Sequence, residues 1–196
     1  TVTVTIAGVV RGTYVLAPNE STRVNYAGLN SGPVVVKSSA GVPIIAAIRD
    51  SWFDGTRWSS FVQTMGLPIG QVSDTYLFPA YNNVTLDEQL RFGNVGLAST
   101  TVTVTIGGVI QGTYDLAPNE STRVNYAGLN SGPVVVKSSA GVPIIAAIRD
   151  SWFDGTKWSS FSQLMGLPVG QVSDTYLFPA YNNVTLDEQL RFGNVG

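Results

Sequence analysis

An all-β fold, built as an antiparallel sandwich in each of two repeats, is what the sequence predicts, and three observations carry the prediction. The segment Thr1–Ile6 alternates strictly, Val2, Val4 and Ile6 on one face and Thr1, Thr3 and Thr5 on the other, as a half-buried strand requires. Short apolar or alternating runs recur at about 8–12-residue spacing with Gly, Pro, Asn or Ser between them. No segment sustains a helical period for more than a turn or two.

Taken in order, Thr13–Leu16, Thr22–Tyr26, Pro33–Ser38 and Val42–Arg49 read as further strands, each ended by turn residues. Asp54-Gly55, between Trp52-Phe53 and Trp58, reads as a tight hairpin turn, because the central residues of such turns need positive φ. Alternation around that turn puts Trp52 and Phe53 on opposite faces. Val62–Gly66 reads as one short helical turn ahead of Leu67-Pro68. Asp74–Phe78 and Gln89–Val95 complete eight or nine short strands, which favours an immunoglobulin-like sandwich over a parallel α/β fold.

The strongest signal is internal repetition. Residues 1–96 align with 101–196 without a gap and differ at eight positions only: 7, 10, 11, 15, 57, 62, 64 and 69 with their partners 100 further on. A period of 100 is far longer than solenoid repeats and matches a small domain, so the organisation expected is sandwich 1–96, linker 97–100 and sandwich 101–196. A permuted alternative is also open. Gln89–Val95 and Thr101–Ile106 are separated by a loop of hairpin length, and if they pair, the folding unit runs from about Tyr76 to Phe178. The segment Gln189, Leu190, Arg191, Phe192, Gly193, Asn194 and Val195 is then a candidate donated strand for a following molecule, since unpaired backbone groups recruit partners. Beginning at Thr and stopping at an equivalent phase of the repeat, the chain reads as a piece of a longer array.

Composition narrows function. The chain of 196 residues has no Cys and no His, which removes disulfides, thiolate nucleophiles, His-based triads and the usual zinc ligand sets. Eleven basic against thirteen acidic residues leave no basic surface for nucleic acid. The longest apolar run, Val42–Ile48, is far short of the roughly 20 residues of a membrane-spanning helix, so no membrane insertion is expected of this segment. Only 12% of residues are charged, about half the roughly 25% usual for soluble domains, and such a surface favours packing against other copies. No cofactor and no enzymatic activity are expected.

The acidic residues fall in turns and polar loops, Asp54 in a turn dipeptide and Asp87-Glu88 in a loop, so solvated carboxylates are a better reading than a general acid and base. Asp50 and Asp54 alone make a poor calcium loop. Lys37 reads as solvent-facing on its strand, against the alternative of an isopeptide crosslink. Asn19, Asn83, Asn119 and Asn183 open glycosylation sequons. Trp52, Trp58 and Tyr81, with Trp152, Trp158 and Tyr181, are candidate contacts for a partner or a glycan, because their rings offer a flat apolar face and a polar edge, although packing in the core or between domains outweighs glycan recognition as the reading of this aromatic cluster.

Leu90-Arg-Phe-Gly-Asn-Val-Gly96 ahead of Thr101-Val-Thr-Val-Thr-Ile106, with Leu16-Ala-Pro-Asn-Glu-Ser-Thr22, resembles the tandem immunoglobulin-like repeats of large bacterial surface proteins, closest to those of filamentous Chloroflexota-type bacteria. That resemblance implies an extracellular or cell-surface location and a filament, stalk or sheath built from copies of the unit, and it transfers no active-site residue. The alternative it leaves is a multivalent adhesin or module that binds surface polysaccharide.

Overall fold

The computed structural model describes residues 1–53, 55–156, 158–185 and 189–196, without the side chains of Ser59, Trp158 and Ser159. Asp54, and with it half of the expected turn dipeptide, lies outside the described residues. The described chain is all-β, with sixteen strands and four single 3₁₀ turns.

The first copy begins with β1 (Val2–Ile6), β2 (Val9–Tyr14) and β3 (Val34–Ser38), a three-stranded antiparallel sheet in the order β2-β1-β3. β1 forms where the Thr/Val alternation predicts it, with Val2, Val4 and Ile6 turned inward. β4 (Ala47–Phe53) and β5 (Trp58–Met65) form a separate hairpin. Phe53 opposes Trp58, so the connection has four residues and is not a two-residue turn; Gly55, at φ +100°, supplies the left-handed conformation within it. The register slips after Ser51, and the extra residue, Ser60, sits at φ +55° as a bulge. The helical turn expected over Val62–Gly66 is absent: residues 62–65 belong to β5, where backbone pairing with β4 outweighs any local preference.

The remaining strands share one core. β6 (Thr75–Phe78), β7 (Tyr81–Asn82) and β8 (Asp87–Asn94) come from the end of the first copy. From the second copy come β9 (Thr100–Ile106), β10 (Val109–Leu116), β11 (Ser121–Val124), β12 (Asn130–Ser131), β13 (Val134–Ser138), β14 (Ile144–Phe153), β15 (Trp158–Met165) and β16 (Leu167–Pro168). One sheet has the order β10-β9-β13-β6-β16, the other β11-β8-β14-β15, and β7 with β12 makes a two-stranded ribbon. All pairings are antiparallel.

Their inner faces make a β-sandwich. Tyr76, Phe78, Val102, Val104, Val134 and Val136 of the first sheet meet Leu90, Phe92, Ile144, Ala146 and Ile148 of the second in one buried cluster. Burying an apolar side chain of this size stabilises by about 1.5–3 kcal/mol each before the entropy cost of ordering the chain, so the cluster dominates the fold. Two edge-to-face aromatic pairs close its ends, Phe92 with Tyr114 at 5.4 Å and Tyr81 with Tyr126 at 5.9 Å.

One expected pairing is corrected. Gln89–Val95 does not pair with Thr101–Ile106: β8 lies between β11 and β14, whereas β9 lies between β10 and β13 in the facing sheet. The apolar faces of the two strands oppose each other across the core instead of sharing a sheet, and each strand already has both edges occupied. Asn94 holds the crossing. Fully buried, it donates its side-chain amide to the carbonyls of Ala98 at 2.7 Å and Leu116 at 3.2 Å, and its Oδ1 accepts from Gly96 N at 2.8 Å. A short polar side chain thus replaces ladder bonds that the corner cannot make.

Candidate functional site

The feature that sets this molecule apart is a boundary. β6 and β8 carry first-copy sequence, yet they are interior strands of sheets whose other members belong to the second copy. Beside β6 the register is Phe78 to Val134 and Tyr76 to Val136; beside β8 it is Phe92 to Thr122 and Ala146, and Leu90 to Val124 and Ile148.

The same residue types elsewhere in the chain lack these partners. Val134 and Ile144 are fully buried, and their equivalents Val34 and Ile44 are 40% and 42% exposed. Leu90 and Phe92 are 0% and 2% exposed, against 59% and 89% for Leu190 and Phe192. Strand content follows the same rule. Residues 21–24, 30–31 and 67–68 are not strands although 121–124, 130–131 and 167–168 are, and β4 starts at Ala47 where β14 starts at Ile144. Each of these stretches is one that β6, β7 or β8 pairs with in the second copy, whereas 115–116, whose equivalents 15–16 are also outside any strand, pair with β9. The expected strand Thr22–Tyr26 therefore fails in the first copy for want of a partner. Residues 189–195, the candidate donated strand, form no strand and are exposed; the Arg191 guanidinium reaches back to 3.4 Å from Glu88 Oε1, and the Gly193 backbone lies close to Pro79 and Pro133.

Glu88 is the chemically unusual group. It is 1% exposed and directly opposes Asp150 across β8 and β14. Two carboxylates at one register position repel each other unless one stays protonated. Burial, with Asp150 adding repulsion, pushes the Glu88 carboxyl up to about 7, against the opposing pull of the Asn82 N–H, which donates to Oε2 at 2.7 Å, and of Arg191. Burial likewise raises Asp150 and lowers the neighbouring Arg91 guanidinium. Asp87, beside Glu88, accepts from Asn125 and lies 4.0 Å from Arg149. The reading of Asp87-Glu88 as a solvated loop is thus overturned: both belong to β8, and the pairing of that strand draws Glu88 into the interior. Nothing local in the sequence marks it; the strands β11 and β14 on either side of β8 account for it. No group of three or more potential metal-ligating side chains is found among the described residues.

The aromatic candidates separate. Tyr81 is fully buried and is corrected to a core residue: its hydroxyl donates to the Glu88 carbonyl at 2.8 Å and accepts from Tyr126 N at 2.8 Å. Its equivalent Tyr181 is exposed, because the tail has no sheet to enter. Trp52 and Trp58 are exposed on the β4–β5 hairpin, as is Trp152 on β14. The Trp52 ring lies 6.4 Å from Phe161 of the other copy, and Phe53 and Trp58 stack at 5.0 Å. Trp58, Arg49, Arg149 and Phe161 join Trp52 around a shallow groove. The side chain of Trp158 lies outside the described residues. Lys37 and Lys137 face solvent.

A second contact crosses the copies through equivalent strands. β5 runs against β15, with Ser160 N donating to Ser60 Oγ at 2.8 Å and Thr64 Oγ1 donating to the Gln163 carbonyl at 3.1 Å.

No protein-family model matches the chain, and no curated protein matches it. Among solved structures, the crystal structure of Thermotoga maritima 1070 aligns with 50% of this chain and 95% of its own, at 13% identity and a TM-score of 0.41. So slight a likeness adds nothing to the fold or the site. No helix is long and apolar enough to cross a membrane among the described residues.

Proposed function

We propose that the chain is a stretch of a non-enzymatic structural array in which immunoglobulin-like sandwiches stack end to end, as in an extracellular filament, stalk or sheath. The folding unit in this reading runs from about Ser73 to Val172, and each unit takes two interior strands from the copy before it. The observation that carries the reading is the placement of β6 and β8 inside both sheets of a core otherwise made from the second copy. A module closed in this way cannot swing freely from its neighbour, because the connection between them is part of its core. The contact between β5 and β15 is consistent with the same reading, since equivalent strands of the two copies lie against each other through Ser60 with Ser160 and Thr64 with Gln163. Electron microscopy or small-angle scattering of an extended array is expected to give a stiff beaded rod with one bead per 100 residues. Independently tumbling beads would refute it.

A second reading, a multivalent adhesin for surface polysaccharide, draws on the exposure of Trp52 and Trp58 beside Arg49 and Arg149 in one groove. Binding on a glycan array that is lost in Trp52→Ala and Trp58→Ala, with the thermal transition retained, is the outcome that would favour it.

A further inference from the structure

We propose that this chain also associates with a second copy of itself, residues 173–196 of one molecule entering the half-built sandwich formed by residues 1–72 of the next. The inference rests on the reading that modules close across the copy boundary, and it names the partner of the open ends.

The two surfaces are known to fit, because the same residues already fit within the chain. None of the eight positions that distinguish the copies falls in β11, β13, β14 or β16, the strands that receive β6 and β8, and none falls between 173 and 196. The registers therefore transfer without change. Phe178 and Tyr176 of one molecule lie beside Val34 and Val36 of the next; Phe192 lies between Thr22 and Ala46, and Leu190 between Val24 and Ile48. Docking would cover the apolar residues now exposed on both sides, among them Val34, Ile44 and Ile48 on the acceptor and Leu190 and Phe192 on the donor. It would also return 21–24, 30–31 and 67–68 to the strand conformations that their counterparts adopt, pairing the open backbone edges of β3 and β4. Donor and acceptor are different segments of the chain. One docked pair therefore leaves a further donor and a further acceptor open, and growth proceeds head to tail.

Disulfide trapping tests the register directly, since the chain has no cysteine of its own. Arg91 opposes Ala147 in the closed sandwich, so Arg191 of one molecule is expected opposite Ala47 of another. Mixing the single variants Arg191→Cys and Ala47→Cys under mild oxidation is expected to give the mixed disulfide in excess over either symmetric one. Sedimentation of the unmodified chain should give masses rising with concentration to at least twice the 20.8 kDa of one molecule. Phe192→Asp should return it to one molecule with its thermal transition kept. A single-molecule mass at every concentration, oligomers indifferent to Phe192→Asp, or a mixed disulfide no more abundant than the symmetric ones would each overturn the proposal. Phe92→Asp separates this from failure of the underlying reading: if it abolishes the thermal transition while Phe192→Asp leaves the mass distribution unchanged, modules close within the chain and only the association between molecules is refuted. A thermal transition indifferent to Phe92→Asp would refute both.

Discussion

Residues 134–148 and 34–48 have the same sequence and different structures. In the second copy they form β13 and the start of β14, sealed in the core; in the first, Val34, Val35 and Val36 stand partly in water and residues 44–46 belong to no strand. The tails make the converse pair, with 73–96 entering two sheets and the described residues of 173–196 entering none. Because composition, propensity and turn chemistry are the same in each pair, they cannot account for the difference. What differs is the presence of a strand on the open edge. Sheet residues are stabilised by neighbours far away in sequence, so the same segment is strand or coil according to its company.

The largest expected effect breaks this comparison at one aromatic ring. Phe92→Ala should cost about 3–5 kcal/mol, the range for emptying a buried aromatic site, whereas Phe192→Ala in dilute solution should stay within about 0.5 kcal/mol; chemical denaturation of the full chain measures both.

Next comes pH. The Glu88 carboxyl titrates at about 7 in the folded state against an ordinary 4.5, so the folded form holds its proton longer. Its contribution is fully present below 4.5 and is lost as pH rises through the window from 4.5 to about 7. The slope should approach, at most, about 1.4 kcal/mol per pH unit within that window. Thermal melts from pH 4.5 to 8 should show a falling midpoint in the native chain and a flatter one in Glu88→Gln.

Asn94→Ala should cost about 1–3 kcal/mol by leaving the Ala98 and Leu116 carbonyls and the Gly96 amide without their side-chain partner, and Asn194→Ala much less. Smallest of all, Trp58→Ala should cost about 1 kcal/mol or less, since it removes one exposed stack on Phe53; a shift in melting temperature of only a few degrees is the check.

Much of the architecture is legible in the sequence. Alternation placed β1 and its counterpart β9, the apolar run at Pro33–Ser38 placed β3 and β13, and the turn residues around Gly55 placed the hairpin. The helical turn at 62–66 was misread because a strand can pair through residues of any local preference once a partner lies alongside. Glu88 was misread for a related reason: two acidic neighbours look solvated until a strand on either side removes the water. Core packing is the favoured reading of the aromatic cluster that holds Tyr81, but which of its rings are buried is not legible, since the buried hydrogen bonds of Tyr81 go to the backbone at Glu88 and Tyr126 and no side-chain motif marks them.

The sequence by itself determined the all-β class, the period of 100 and the identity of the apolar faces, because alternation and repetition are properties of neighbouring residues. Only the tertiary structure decided that β8 and β9 lie in opposite sheets, that one copy's strands enter the other copy's core, and that Glu88 faces Asp150. Those are choices among partners of almost equal local quality. They are settled by which arrangement buries both apolar faces and leaves the fewest backbone groups unpaired, a quantity summed over the whole assembled core.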